Sequence, residues 1–284
     1  GMPDMFALFE RMLNPNLSYS GEVFEKLLET IQIAIVSSIL GVILALPFSL
    51  LVAENITPNK LVAKILTAVF SFFRTIPGLI WAALLVSIFS IGKFSGIVAL
   101  TIIAFLMSLK LFREYIESIN ENQLNSTISV GANSMQVLRY CVLPHILELS
   151  VSVFFNVFET NIRSATILGL VGAGGIGQIM WRDLNHLRYD NLGTLILILF
   201  LTIFLIDLIS LFLRINLELL YFKSLESYRK YKSSKLIYIP LIIIGLFVLV
   251  FKSFDISYDR LLLGLEQGNQ IISRMIRMDF SYYS

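Results

Sequence analysis

The sequence predicts an all-α membrane protein, a polytopic bundle of about six transmembrane helices. Apolar residues make up 56% of the 284 positions, above the roughly 45–50% of soluble domains. A membrane-spanning helix needs about 20 mostly apolar residues. Stretches of this length, or nearly so, run over residues 30–53, 65–90, 97–112, 144–170, 192–213 and 236–251. The alternating short segments of a transmembrane barrel are absent from the sequence, so helices are expected to satisfy the backbone in lipid.

The first two spans differ in their flanks and interruptions. Residues 1–26 are polar and mixed in charge, without the pattern of a cleavable signal peptide, and we expect them to form an outer segment. In the second span, Pro77 and Gly78 weaken one helical turn, so a kink is predicted there. Arg74 lies one turn before this bend. It is expected either to gate or contact a substrate, or to extend toward the inner surface as a snorkelling side chain.

Charge placement predicts the orientation of the bundle, because short cytoplasmic loops are enriched in Lys and Arg. Basic residues crowd into the short stretch 214–235, namely Arg214, Lys223, Arg229, Lys230, Lys232 and Lys235. With this stretch inside, residues 1–26 lie outside, and the polar connection between the third and fourth spans lies inside.

That inner connection is predicted to fold into two short helices. Gly131 can end or bend a helix, and Pro144 can open the next one because its missing N–H is not needed there. Apolar residues recur at helical spacings of three, four and seven and predict a single apolar face: Ile128, Met135, Leu138 and Val142.

The spacing from Gly131 to Leu143-Pro144 resembles the coupling-helix signature of permease subunits of bacterial ABC importers. In that family a Glu-Ala-Ala triplet precedes the glycine by six residues, whereas this sequence has Asn125-Ser126-Thr127. The resemblance therefore implies a cytoplasmic coupling helix at about 121–143, but no acidic contact to an ATPase. An ordinary interfacial loop is the alternative. The residues implied in ATPase coupling are Asn125, Gly131, Ala132, Leu143 and Pro144.

The fourth span carries a polar face that is costly in hydrocarbon and therefore indicates a partner or an aqueous path. Glu159 and Arg163 are four residues apart in the order that favours pairing, and Asn156 and Thr160 lie on the same face. Arg163 is expected either to attract an anion while Glu159 holds it in place, or only to neutralise Glu159. Asp207 in the fifth span is an alternative partner for Arg163.

Residues 172–177 spell G-x-G-x-x-G, but we reject the dinucleotide-binding interpretation. That motif requires a preceding strand in an α/β unit, and here a membrane helix precedes it. Gly172, Gly174 and Gly175 are instead expected to break the helix near the outer surface and let backbones approach closely. Broken helices can also offer N–H groups to an anion.

Three strings together are similar to phosphonate-type ABC importer permeases: residues 74–77, 159–163 and 168–177. Methionine importer permeases carry a similar glycine string. The resemblance covers about residues 1–220 and implies a type I importer permease in the cell membrane that moves phosphonate or a related phosphorus oxyanion inward by alternating access. The residues expected along the substrate pathway or gate are Arg74, Pro77, Asn156, Glu159, Arg163, Gly172, Gly174 and Gly175.

The same resemblance implies a set of partners. They are a dimer of ATP-binding subunits on the cytoplasmic side, an extracellular or periplasmic substrate-binding protein, and a second permease unit. A permease for methionine or another small solute, an ion-coupled secondary transporter using Glu159 and Asp207, and a scaffold without transport are the alternatives.

The two termini share several residues at one offset, including Gly1 with Gly264, Arg11 with Arg274 and Met12 with Met275. These matches indicate either an internal repeat or two unrelated amphipathic segments on the outer surface. The resemblance to importer permeases implies that residues 27–220 form the permease core. Residues 221–284 are predicted to form a basic cytoplasmic loop, an extra transmembrane helix and an outer segment that begin a second tandem permease unit.

Several function classes are not expected. The net charge of +2 gives no reason to expect nucleic acid, and the single cysteine, Cys141, excludes an internal disulfide. His145 and His186 have no second ligand nearby in the sequence, so neither metal nor cofactor is predicted. No Gly-x-x-x-x-Gly-Lys-Ser/Thr loop occurs, so the chain is not expected to hydrolyse ATP by itself.

Overall fold

Residues 16–226 are described from a computed structural model, without the side chains of residues 17, 121, 148 and 216–226. This part of the chain is helical and contains no strand. A 3₁₀ turn, Leu17–Tyr19, precedes the helices α1 (Ser20–Val52), α2 (Lys60–Thr75), α3 (Gly78–Phe89), α4 (Lys93–Glu117), α5 (Glu121–Ser129), α6 (Ser134–Val137), α7 (Leu143–Gly169), α8 (Ile176–Asn185) and α9 (Tyr189–Glu226). A π-helical turn, Leu138–Val142, joins α6 to α7.

Within the described residues, α1, α4 and residues 189–215 of α9 are each long and apolar enough to cross a membrane. Two bent helix pairs also qualify as spans, which brings the total to as many as five. One pair is α2 with α3, and the other runs from Ser134 to Gly169 with a bend of 41°. These elements coincide with the first five predicted apolar stretches. The sixth, at 236–251, and the proposed terminal repeat lie outside the described residues.

The predicted kink at Pro77 is a complete break. The axes of α2 and α3 differ by 84°, because Ile76 and Pro77 have ψ angles of 120° and 139°. A residue before proline is driven toward this extended region by steric clash with the proline ring. The second apolar stretch is therefore two half-helices that meet at a corner.

The core lies along α1 in three clusters, and α1 packs against α4, α7, α8 and α9. At one end, which we call the glycine end, the residues 16–30, 92–96 and 172–191 meet; Gly92 N–H, for example, donates to Gly172 O at 2.9 Å. At the other, the wedge end, the segment 118–142 packs beneath α1 and α4, with Leu124 and Val137 in the same core cluster as Val52 and Ile116.

The predicted boundary at residue 27 falls inside α1. The helix begins at Ser20, and Val23 is fully buried against Ile176 and Leu195. Residues 20–26 therefore belong to the packed body, because apolar residues in the first turns already find partners in α8 and α9.

Candidate functional site

The segment between α4 and α7 forms a compact projection, which we call the wedge (residues 118–142). Asn133 begins α6 with a capping box: its side chain accepts from Gln136 N–H at 2.9 Å, and the Gln136 side chain accepts from Asn133 N–H at 2.8 Å. Gly131 has φ +87° with open space where a Cβ would lie. This left-handed backbone, which favours glycine, turns the chain sharply from α5 into α6.

The apolar face predicted for the wedge is wrong. Val142 is fully buried, but Ile128 and Met135 are 54% and 71% exposed. The turn at Gly131 separates α5 from α6, so positions counted across both helices do not share one face. The buried side is formed instead by Leu124, Val137 and Val142. The exposed apolar residues of the segment, which we call the wedge tip, are Ile128, Val130, Met135 and Tyr140.

The remaining residues predicted to couple to an ATPase lie around this projection. Asn125 is exposed on α5, and Ala132 packs against the core cluster of the wedge end. Leu143 and Pro144 begin α7, with the proline in its first turn. The structure thus brings all five residues into one segment at the wedge end.

The charges of the fourth span form a network with α9. Arg163 is 2.7 Å from Glu159 and 3.5 Å from Asp207, so both partners considered for it are engaged. Arg214, expected in a cytoplasmic loop, is instead part of α9 and lies 3.4 Å from Glu159. Two carboxylates and two guanidiniums therefore alternate between α7 and α9 and compensate each other in charge.

Part of this network is open. The side chains of Arg163 and Asp207 are 47% and 38% exposed. A charge is costly in contact with lipid tails, so this face requires water or another protein beside it. Asn156 lies two turns before Arg163 and is half-buried outside the ion pairs.

Sequence reasoning missed the contact that fixes α7 to α1. Asn161 is 1% exposed, and its amide donates to Ser37 and Ser38 at 3.1 and 2.8 Å. Its position beside Glu159 and Arg163 was the available signal, since a buried amide in an apolar helix needs partners.

The predicted break at Gly172, Gly174 and Gly175 is present, and all three have positive φ angles. Gly174 and Gly175 are buried. The N–H of Gly175 donates to Glu29 at 3.0 Å, and that of Ile176 donates to the Thr30 hydroxyl at 2.8 Å. These donors, which sequence reasoning left available to an anion, are used inside the protein.

Glu29 was also missed, because its partners are distant in the sequence. It is 7% exposed, and its carboxylate lies 2.9 Å from the Lys26 amine and 3.8 Å from the Lys93 amine. We call this arrangement of Glu29, Thr30, Lys26 and Lys93 around the glycine loop the loop clamp. A charged residue in the third turn of α1 was its only signal in the sequence.

A second polar cluster closes the glycine end. The fully buried Asp183 accepts from the Tyr19 hydroxyl at 2.6 Å, and Arg182 contacts Tyr19, Asp183 and Glu22. Burial and the hydrogen bond to Asp183 raise the pKa of Tyr19 above its usual value. The hydrogen bond to Glu22 raises the pKa of Arg182, so the guanidinium stays protonated.

Arg74 lies at a separate place, in a cleft of about 100 Å³ between α2 and α4. Lys110 and Arg113 also line this cleft, whereas Arg163 does not. Pro77 lies just beyond, at the corner between α2 and α3. The structure therefore divides the predicted pathway residues among three places: the cleft, the α7–α9 network and the glycine loop.

Comparison with known proteins gives a consistent result. The family described as "Binding-protein-dependent transport system inner membrane component" matches residues 33–219. The phosphite transport system permease protein PtxC of Stutzerimonas stutzeri is 28% identical over 75% of this chain and 78% of its own length. The phosphate-import permease protein PhnE of Mycolicibacterium smegmatis is 29% identical over 74% of this chain, which spans 40% of that longer protein.

Among solved structures, an inward-facing form of the MetNI methionine ABC transporter is similar, with a TM-score of 0.61 and 22% sequence identity. The match covers 71% of this chain and 99% of that one. At this identity the likeness concerns the fold.

Proposed function

Because the chain belongs to the family of binding-protein-dependent transport system inner membrane components, we propose that it is the translocation subunit of an importer for a phosphorus oxyanion, driven through its wedge. Permeases of this family work in the membrane with an ATPase and a substrate-binding protein. For this chain, we assign the ATPase contact to the wedge, the transported substrate to the phosphorus oxyanions, and the other side of the pathway to a second permease unit.

The wedge tip is the observation that carries the ATPase assignment. Val130 is 86% exposed and Met135 71% exposed at the end of a projection whose other side is packed in the core. Several large exposed apolar residues within 13 positions of one segment, from Ile128 to Tyr140, indicate a protein contact. Lys60, Lys64, Arg113 and Arg139 lie near the same end, which supports a cytoplasmic position for it.

The chemistry of the substrate is supported by two relatives whose names specify phosphite and phosphate. The basic cleft at Arg74 is compatible with an anion. The likeness to the methionine transporter supports only the shared fold. An ion-coupled carrier is less well supported, because Glu159 and Asp207 both pair with arginine, and a proton would have to displace an internal ion pair.

A second permease unit is supported by the open face of α7 and α9. Arg163 and Asp207 are partly exposed on apolar helices, and α9 is only 11% buried over its most apolar window. A second unit, either another copy or a tandem repeat, would enclose these charges beside an aqueous path rather than leave them in lipid.

The test exchanges one exposed residue at each end of the bundle. Met135→Glu places a charge on the wedge tip, and Leu187→Glu places one on a loop at the glycine end, where Leu187 is 62% exposed. Both variants are expressed in the source organism in place of the native chain. Uptake of radiolabelled phosphite, methylphosphonate, phosphate and methionine is measured, together with co-purification of the ATPase.

We expect Met135→Glu to reduce ATPase co-purification and phosphorus-oxyanion uptake at least tenfold while the chain remains in the membrane. Leu187→Glu should keep the ATPase bound. Normal co-purification in Met135→Glu would refute the wedge as the contact. Uptake of methionine but of no phosphorus oxyanion by the native chain would refute the substrate assignment.

A further inference from the structure

The cleft that contains Arg74 has polar groups whose binding capacity the protein does not use. Within residues 16–226, Arg74 makes no ion pair and no side-chain hydrogen bond. The Ser71 hydroxyl one turn earlier is likewise without a partner in this part of the chain. An arginine left without a carboxylate offers its whole planar set of donors to a ligand.

Three of the residues that line the cleft are cationic, Arg74, Lys110 and Arg113, and Glu114 is a lining carboxylate. Arg113 is already engaged, 2.9 Å from Glu117 and 3.9 Å from Glu54. Lys110 lies 3.4 Å from Glu114, but both side chains are at least half exposed, and such surface pairs are weak. Arg74 on α2 and Lys110 on α4 are therefore the two lining cations that carboxylates neutralise least.

The size and walls of the cleft suit a small anion. Its volume of about 100 Å³ has room for several water molecules or for one small oxyanion. Val52, Phe70, Leu106 and Leu109 form apolar walls, and low-dielectric walls strengthen the attraction of a cation for an anion. These features are compatible with a small tetrahedral oxyanion.

We infer that this cleft binds a tetrahedral phosphorus oxyanion, held by Arg74 and Lys110 with the Ser71 hydroxyl as an additional donor. The anion is either a free phosphite or phosphonate ion on the exit side of the pathway, or the phosphate of a lipid headgroup at the membrane surface. The free-ion source rests on the proposed function, whereas the site itself rests only on the cleft. Because Arg74 lies in the last turn of α2, two residues before the corner at Ile76, a bound anion also restrains the angle between α2 and α3.

The experiment uses the full-length chain purified in dodecyl maltoside, a detergent without phosphorus, and stripped of lipid. Phosphite and methylphosphonate are titrated by calorimetry at low salt. In a parallel arm, phosphatidylglycerol retained by the chain is measured by native mass spectrometry. The variants are Arg74→Gln, Arg74→Lys and Lys110→Gln, with Lys60→Gln as a charge-matched control at the opposite end of α2.

We expect Arg74→Gln to weaken binding at least tenfold, Lys110→Gln to weaken it less, and Arg74→Lys to retain part of it, with Lys60→Gln unchanged. Loss in the calorimetric arm identifies the free ion, and loss in the lipid arm identifies the headgroup. If neither ligand depends on Arg74, or if Lys60→Gln has the same effect, the site is refuted. This binding experiment requires no ATPase and measures no uptake. If the chain binds the anion here but supports no uptake in the cellular assay, the result counts against the proposed function and not against the cleft.

Discussion

Both ends of the bundle contain glycine in the left-handed conformation, but in opposite surroundings. At the glycine end, Gly175 has φ +74°, is buried and donates its N–H to the buried carboxylate of Glu29. At the wedge end, Gly131 has φ +87° and nothing within 4 Å of the position of a Cβ. One glycine permits close packing, and the other only permits a turn.

The glycine end is therefore held by contacts within the chain, whereas the wedge end keeps groups exposed that can bind partners or ligands. The loop clamp and the Asp183 cluster satisfy the polar groups of the glycine end within the chain itself. The wedge end instead exposes the apolar wedge tip, and Arg74 in the cleft has no partner among the described residues. A bundle built in this way holds one end rigid and leaves the other for partners and ligands.

The largest effect should come from exchanging these two glycines for alanine. Gly131→Ala has only the left-handed cost of about 1–2 kcal/mol. Gly175→Ala has that cost and also places a Cβ 2.5 Å from the Thr30 hydroxyl. That hydroxyl cannot move away freely, because it accepts from Ile176 and donates to Lys26 O. Overpacking adds about 1–3 kcal/mol.

The measurement is thermal unfolding of both variants in detergent, followed by tryptophan fluorescence. Both variants place a side chain on a backbone with positive φ, and only Gly175→Ala adds a contact with Thr30. We expect Gly175→Ala to melt clearly below Gly131→Ala. Equal melting temperatures would mean that the glycine end is no more tightly packed than the wedge, which would contradict the difference between the two ends.

A second test removes the carboxylate from the loop clamp. Glu29→Ala leaves the Gly175 N–H and two lysines without their acceptor, and a hydrogen bond to a charged group contributes about 1.5–3 kcal/mol. Glu25→Ala, an exposed position one turn earlier on α1, is the control for helix propensity. We expect a lower melting temperature and faster amide exchange at 174–176 only in Glu29→Ala. Unchanged exchange there would show that packing alone holds the loop.

The sequence predicted those parts of the fold that depend on residues close together in the chain. Apolar runs located the spans, Pro77 located the corner, and Gly131 with Pro144 located the wedge. The angle at the corner was underestimated because both Ile76 and Pro77 are extended. The wedge face was wrong because a helical period was counted across two helices.

The site depends on contacts between distant residues, which carry little signal in a single sequence. Glu29 meets Gly175 across 146 positions, and Arg214 meets Glu159 across 55. Composition made Arg214 look like part of a basic loop, whereas α9 continues past it. The packing of the helices decides which charged side chains form pairs.

We expect the smallest effect from removing the Tyr19 hydroxyl. This change tests whether the glycine end excludes water as far as the start of α1. Tyr19→Phe removes the hydrogen bonds to Asp183 and Arg182 and keeps the ring. Because Tyr19 is partly exposed, we expect a loss of about 1 kcal/mol near neutral pH. Tyr140→Phe, on the 69% exposed residue of the wedge tip, should have no measurable effect.

The pH dependence identifies the cause of that loss. Burial and Asp183 raise the pKa of Tyr19 in the folded chain, so below the unfolded value of about 10 the tyrosine is neutral in both states and its contribution is complete. Above pH 10 the unfolded chain loses the proton first, so folding stability falls as pH rises. The difference in melting temperature between the native chain and Tyr19→Phe should therefore be constant from pH 7 to 9 and shrink from pH 10 to 11. A difference that stays constant to pH 11 would mean that Tyr19 ionises equally in both states, and that water reaches Asp183 at the end we describe as closed.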